Sequence, residues 1–400
     1  TDAVFGELYS WYLRNPEYRS RVQKLVQSAF AGKPKDIISQ SVAKALYGEV
    51  SPYSATRLER FAACAFAHFL QYGMKLTERV EYEFKPIDMG NVMHEALESF
   101  AEEVRKRGMK WTELTEQERN EIADRCLDNI VADYGNTVLK SSARNEYMIE
   151  RTRRILRRTV WALQKQLEQG EFQPEGFEVT FGGGRIDRVD IMEDQNKVYV
   201  KVIDYKTGNT SFDLVYLYHG LQLQLMIYLD GALRVEQKKY PDKEIIPAGV
   251  FYYNIKDPMI QEKIDADVEA VSAGLMKELK MNGLVQADPE LVYRMDSSLG
   301  SIPVAFNKDG SFRKNSSVAD RTQFAVLGRY VRTKIEKIRN SILEGDAEVS
   351  PYELGKKNAC TYCPYMTVCG FDRRLSGYEF RRLKNFSDEE LWKAFDREAE

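Results

Sequence analysis

KVYVKVIDYKTG, residues 197–208, alternates residue by residue as a β-strand does. Val198, Val200 and Val202 share one face and lead to Asp204, while Tyr199, Lys201, Ile203 and Tyr205 share the other. Asp204 and Lys206 therefore point the same way, a carboxylate and an ammonium side by side where the apolar face ends. Upstream, RIDRVDIM (residues 185–192) reads as a second strand, with Glu193-Asp-Gln-Asn196 as the polar turn of a hairpin. Such a hairpin brings Asp187 or Asp190 near Asp204. Two carboxylates and a lysine on adjacent strands suit phosphodiester hydrolysis. The carboxylates hold hard Mg²⁺ or Mn²⁺ through oxygen, the ion lowers the pKa of a bound water, and the lysine orients that water or balances developing charge. A surface hairpin bearing a salt bridge is the plainer alternative, because D-x-K triplets are common.

At 400 residues the chain exceeds the usual size of one core, which predicts two or three subdomains or one heavily decorated domain. With 43% hydrophobic and 30% charged residues it reads as an ordinary soluble globular protein. No apolar run approaches a membrane span and no signal-peptide pattern opens the chain, so no membrane association is expected and the cytoplasm is the expected compartment. The net charge of −3 does not announce a nucleic-acid binder. Basic residues do cluster in RTRRILRR (151–158), either a phosphate-contacting face or a solvated helix face. The first residue is Thr rather than Met, which predicts a fragment of a longer protein.

There are five cysteines, Cys64, Cys126, Cys360, Cys363 and Cys369. The last three form C-x₂-C-x₅-C (CTYCPYMTVC), and thiolates so spaced in a cytoplasmic protein ligate metal. Such a site wants a fourth ligand, and none lies close downstream. Cys64 sits in RLERFAACAFAHFLQYG, an apolar and aromatic helix opened by the capping-box pattern Thr56-x-x-Glu59 and closed by Gly73. Taken alone it reads as a buried small hydrophobe, but the missing ligand makes it the candidate. Cys126, in NEIADRCLDNI, competes from an ordinary amphipathic helix. Four thiolates suit zinc or an iron–sulfur cluster equally, and a cluster admits an electron-transfer role.

Residues 1–50 read as helical, with a break at Gly48–Pro52, and as a continuation of a preceding domain. Met89 to Phe100 opens a helix on which His94 and Glu98 share a face; a core or capping histidine is the plainer reading of His94. Helices are expected over 116–134 and 144–168, then a break at 170–176, a strand over 177–181 and a tight turn at Gly182-Gly-Gly184. One helix over 214–235 would carry Gly220, Gln224 and Tyr228 on one face, and polar groups on so apolar a helix need partners. A strand over 245–254, a helix over 264–282, a loop over 285–318, a helix over 319–344 and a charged helical tail complete the chain. The expected fold is thus α/β, with helical ends around a central sheet. No Walker A motif occurs, so any ATP-driven motor lies elsewhere.

In order along the chain, Gly90-x₃-His94-x₃-Glu98, Gly184-Arg-Ile-Asp187, Asp204-Tyr-Lys206 and Gln224-x₃-Tyr228 resemble the RecB-type nuclease branch of the PD-(D/E)XK superfamily. Cys64 followed by the distant C-x₂-C-x₅-C resembles the four-cysteine iron–sulfur staple of the AddB-type subunits of AddAB (RexAB-like) helicase–nucleases. SATRLERFAACAFAHFLQYG matches the pattern around the first cysteine of that family, with Ala65 where a proline is more usual. The likeness runs from about Ser51 to Arg374.

It implies a restriction-endonuclease-like mixed sheet core with extensive helical decoration, its ends joined by an iron–sulfur cluster. The implied domains are a helical segment at 1–50 continuing from a helicase-like domain, a nuclease domain at 51–376 and a charged helical tail at 377–400. It implies metal binding (Mg²⁺ or Mn²⁺) by His94, Asp187, Asp204 and the backbone carbonyl of Tyr205. Lys206 would position the attacking water, and Gln224 and Tyr228 would orient the site or touch DNA. Cys64, Cys360, Cys363 and Cys369 would hold a [4Fe-4S] cluster, leaving Cys126 structural. The implied activity is that of a metal-dependent DNA exonuclease acting on a single strand from an unwound duplex end, beside an AddA-like helicase–nuclease partner, in double-strand-break resection and recombinational repair. A catalytically idle iron–sulfur DNA-binding scaffold is the alternative.

Overall fold

The computed structural model describes residues 2–29, 37–48, 54–77, 86–133, 142–182, 184–260 and 267–399. The chain opens with helices α1 (Asp2–Arg14), α2 (Pro16–Ala29) and α3 (Gln40–Tyr47). Gly48, at φ 77, ends α3, and residues 49–52 of the expected break lie outside the described set. α4 (Ala55–Ala63) follows, then α5 (Ala65–His68), which widens into a π-helical turn over Phe69–Gly73. Next come α6 (Pro86–Lys106), α7 (Glu116–Asp133) and α8 (Ala143–Glu168), the last capped by Ser142, whose hydroxyl accepts from the Asn145 N–H.

The sheet begins with β1 (Gln173–Phe181), β2 (Gly184–Asp194) and β3 (Lys197–Lys206). After β3 run α9 (Leu214–Tyr218), α10 (Gln224–Lys239) and β4 (Glu244–Asn254), then α11 (Val268–Glu278), β5 (Asn282–Gln286), α12 (Pro289–Met295), β6 (Val318–Ala319) and α13 (Arg321–Glu344). Short elements close the chain: β7 (Tyr352–Leu354), β8 (Lys357–Asn358), α14 (Met366–Cys369), β9 (Arg381–Arg382) and α15 (Asp388–Ala399). No described helix is long and apolar enough to cross a membrane.

By packing, the chain forms two units. The larger comprises residues 50–62, 78–339 and 386–400 and holds a six-stranded mixed sheet in the order β1-β2-β3-β4-β5-β6. β1, β2 and β3 pair antiparallel, β3 with β4 parallel, β4 with β5 antiparallel and β5 with β6 parallel. The parallel β3–β4 pair requires a crossover, which α9 and α10 supply. The hairpin expected from KVYVKVIDYKTG is present with a tighter turn than expected. Asp194 pairs with Lys197, and only Gln195 and Asn196 remain between the strands, Gln195 at φ 37 as a two-residue turn demands.

One sheet face packs on α6, α7 and α8 through Met93, Leu97, Phe100, Leu127, Leu163, Ile203, Phe251 and Tyr253, all buried. Each such side chain contributes about 1.5–3 kcal/mol on burial. Cys126 belongs to this apolar core.

Several expectations are corrected. The helix expected over 214–235 is two, because Gly220 takes φ +78 and turns the chain between α9 and α10; Gly220 therefore does not share a helix face with Gln224. β1 starts at Gln173, inside the expected 170–176 break, and absorbs Pro174 through a register shift before Gly176. The loop expected over 285–318 contains the end of β5 and all of α12, and Asn282 opens a strand rather than closing a helix. Residues 264–266, the start of the expected 264–282 helix, lie outside the described set, as does Tyr134, the end of the expected 116–134 helix.

The smaller unit comprises residues 1–49, 63–77 and 340–385, with a three-stranded sheet in the order β8-β7-β9. Cys64, Ala67, Leu70 and Tyr365 form an apolar cluster there, with Phe66, Phe69, Ala359 and Cys363 packed against it. The Phe66 N–H donates to the Glu348 carbonyl at 2.9 Å, and the Tyr365 hydroxyl to the Leu76 carbonyl at 3.0 Å. The tail expected over 377–400 divides: β9 pairs with β7 in this unit, whereas α15 buries Leu391, Ala394 and Phe395 in the larger one.

Candidate active site

The β2–β3 register runs from Asp194 opposite Lys197 to Arg188 opposite Ile203, and one further step sets Asp187 against Asp204. Asp187 Oδ2 accepts the Tyr205 N–H at 2.7 Å and lies 3.3 Å from Nδ1 of His94 on α6. Glu178 on β1 brings Oε1 to 3.9 Å from the same imidazole nitrogen. Lys206 Nζ is 2.5 Å from Asp204 Oδ2, donates to Gln224 Oε1 at 2.8 Å, and lies 5.4 Å from the ring centre of Tyr252. Gln224 Nε2 in turn donates to the Tyr228 hydroxyl at 2.9 Å. The structure thus brings together His94, Asp187, Asp204, Tyr205, Lys206, Gln224 and Tyr228.

Charge at this point is unbalanced. Burial, then the neighbouring Asp187, pushes Asp204 up to about 7 against the pull of Lys206. Burial and Asp187 likewise push Glu178 up to about 7, against Arg185, with which it forms an ion pair. Burial disfavours the charged form of His94, but the hydrogen bond and charge of Asp187, with Asp204 and Glu178, outweigh it and raise its pKa. Carboxylates that can ionise together only at a cost are the donor set a hard divalent cation relieves. His94, Glu178 and Asp187 each offer a ligand atom within 4.8 Å of the others, so these residues fit such an ion.

Glu178 did not emerge from the sequence. It takes φ 49, a conformation costly for a non-glycine residue and one that clusters at functional sites. A signal was available: the turn at Gly182–Gly184 pairs Phe181 with Gly184, and counting back along the hairpin sets 178 opposite 187. Asp190, the alternative partner for Asp204, is not at the site. It is fully buried on the opposite sheet face, 2.5 Å from Arg188 Nε and 3.0 Å from Lys201 Nζ. Arg153, Arg154 and Arg157 of the basic run pair with Asp128, Asp257 and Asp124, so much of that cluster is an ion-paired helix face.

Glu59 also departs from expectation. Ser54 caps α4, its hydroxyl accepting from the Arg57 N–H at 3.4 Å. Glu59 Oε1 instead accepts the Leu223 and Gln224 N–H groups at 2.7 and 2.9 Å, at the start of α10. Burial pushes its carboxyl up to about 7 in spite of those two donors.

Cys64, Cys360, Cys363 and Cys369 all lie in the smaller unit. Burial, then the neighbouring Cys64, Cys363 and Cys369, pushes the Cys360 thiol up to about 12. Among the described residues no three cysteine sulfurs fall within 4.8 Å of one another. Tetrahedral zinc, with Zn–S bonds of about 2.3 Å, would draw four sulfurs to about 3.8 Å. Four thiolates within one unit are a donor set that either zinc or an iron–sulfur cluster accepts.

The sheet, its hairpin and these carboxylates define a nuclease fold: residues 52–370 match the PD-(D/E)XK nuclease superfamily, and the chain belongs to it. Among curated proteins it is 41% identical over 421 residues to an ATP-dependent helicase/deoxyribonuclease subunit from Lachnoclostridium phytofermentans, covering 99% of this chain and 36% of that protein. Proteins with the same name from Thermoanaerobacter sp. strain X514 and Alkaliphilus metalliredigens are each 34% identical, over 100% and 99% of this chain and 37% of theirs. The chain therefore spans a little over one third of the length of these relatives.

Proposed function

We propose that the larger unit is a Mg²⁺- or Mn²⁺-dependent deoxyribonuclease centre. The observation that carries this reading is the meeting of His94, Glu178 and Asp187 within 4.8 Å, with Asp204 set against Asp187 on the adjacent strand and Lys206 bonded to Asp204 and Gln224. His94, Asp187, Asp204 and the Tyr205 carbonyl would hold the ion, with Glu178 within reach. When bound, the ion supplies an activated water and stabilises charge on the phosphoryl oxygens. Asp187 fixes the strand beside it by accepting the Tyr205 N–H. Lys206, held on one side by Gln224, presents its remaining donor to the attacking water or to developing negative charge. Tyr228 fixes the orientation of the Gln224 amide, so that its oxygen rather than its nitrogen meets the lysine. Replacing Asp204 with Ala should abolish metal-dependent DNA degradation while the circular dichroism spectrum stays unchanged. Undiminished cleavage by that variant would remove the proposal in favour of an idle DNA-binding scaffold.

The names of the relatives support placing this centre in a helicase-linked deoxyribonuclease. In that setting it would cut single-stranded DNA fed from an unwound duplex end, beside an AddA-like helicase–nuclease partner in the cytoplasm, during end resection and recombinational repair. Copurification of a helicase subunit with the full-length protein tests the partnership. The four cysteines would carry a [4Fe-4S] cluster joining residues 63–77 to residues 340–385. Brown colour and acid-labile sulfide in anaerobically purified protein are expected; zinc without sulfide would overturn this.

A further inference from the structure

Lys206 has two partners of opposite character. Asp204 holds it by charge, at 2.5 Å, and Gln224 by a neutral amide oxygen at 2.8 Å. If Asp204 turns its charge toward a cation, Gln224 becomes the anchor that keeps the lysine in place. What fixes Gln224 is therefore a catalytic question.

Its side-chain amide is oriented by Tyr228, but its backbone stands at the first turn of α10, where N–H groups have no partner within the helix. Leu223, the residue before, has helical φ and ψ and makes no side-chain cap, so α10 does not cap itself. A carboxylate from elsewhere in the chain does so: Glu59 of α4 accepts both the Leu223 and the Gln224 N–H groups on one oxygen. The positive end of the α10 dipole would otherwise face the Lys206 ammonium, and an anion at that position offsets it.

We propose that Glu59 is a positioning residue for the nuclease centre, acting through Gln224 to hold Lys206 where the attacking water is bound. Glu59 thus gives its segment of chain a second task, because the same stretch continues, five residues later, into Cys64. The proposal rests on the nuclease reading above.

A double-mutant cycle tests it, using the full-length protein, a labelled single-stranded oligonucleotide and Mn²⁺, with Asp204→Ala setting the zero of the scale. Glu59→Gln keeps the side-chain shape and one acceptor but removes the charge; Glu59→Ala removes both. A misplaced catalytic group typically loses about 10–100-fold in rate. The expected result is a kcat loss of that order for Glu59→Ala and a smaller one for Glu59→Gln, with KM for the oligonucleotide and Mn²⁺ affinity by calorimetry unchanged. In a Gln224→Ala background, Glu59→Ala should cost little more, because the two residues lie on one path. Full additivity of the two losses would overturn the proposal, as would a Glu59→Ala protein whose kcat matches the wild type. If Glu59→Ala fails to fold, the same cycle is read with Glu59→Gln. A wild-type protein that does not cut DNA at all would sink the nuclease reading instead, so the two failures are distinguishable.

Discussion

At the scale of single residues, the site is an argument about where charge can be tolerated. Asp204 and Glu178 both sit near 7 because burial and Asp187 disfavour their ionised forms. Their folded pKa values exceed those of an unfolded chain, so the folded state binds more protons between about pH 4 and pH 7. Stability from these two groups is then full below about pH 4 and falls as pH rises toward 7. Thermal melts in EDTA should show Tm declining across that window, and saturating Mn²⁺ should flatten the decline by replacing the protons. A slope unaffected by Mn²⁺ would mean that the carboxylates do not share a cation. Glu178→Gln should weaken Mn²⁺ binding by about 10–100-fold in a titration, as removing a metal-site partner does. Asp187, Asp204 and Lys206 were legible because strand alternation and hairpin counting operate within twenty residues. Glu59 was not: its pattern pointed to a local cap, while its partners stand more than 160 residues away.

At the scale of elements, the β2–β3 hairpin carries its register in a buried ionic group. Arg188, Asp190 and Lys201 are buried on one sheet face, Arg188 with its guanidinium 5.6 and 5.8 Å from the ring centres of Trp111 and Phe177. Asp190 lies directly across from Lys201. Sliding β3 against β2 by one residue would turn Lys201 to the other face and take it from Asp190, leaving only Arg188 of the same strand, so the cross-strand ion pair favours the register that sets Asp187 against Asp204. Asp190→Ala should therefore destabilise the larger unit by roughly 3–5 kcal/mol, because it leaves two buried cations unpaired. Chemical denaturation measures this; a loss below about 1 kcal/mol would show that the group does not set the register. Alternation in VYVKVIDY revealed the strand but not that its lysine would be buried, since that rests on Asp190 of the facing strand and on Phe172, whose ring centre lies 5.1 Å from the ammonium. β5 was missed for a related reason. Asn-Gly-Leu-Val-Gln is short, and its glycine is a contact requirement, a Cβ there falling 1.9 Å from the Val250 carbonyl oxygen.

At the scale of the whole molecule, the division of the chain was the least legible feature, because both units are discontinuous in sequence. The smaller one draws on the beginning, on residues 63–77 and on residues 340–385, and its described buried apolar side chains, among them Ala43, Tyr47, Leu70, Val349, Leu354 and Tyr365, come from all three. Ordering segments nearly three hundred residues apart carries a conformational-entropy cost that this core must offset. Cross-linking them through four thiolates removes loop-closure entropy from the unfolded chain, a gain that grows with loop length. This role for the cysteines predicts a separable lesion. In a Cys363→Ser variant the cluster should be lost, and limited proteolysis should cut newly within residues 63–77 and 340–385, while residues 173–319, with the sheet and the carboxylates, stay protected. An electron-transfer centre would behave differently: the variant would lose its redox signal and keep the parent's cleavage pattern. New cuts confined to those two segments support the staple. An unchanged pattern in a protein shown to lack iron and sulfide would remove it.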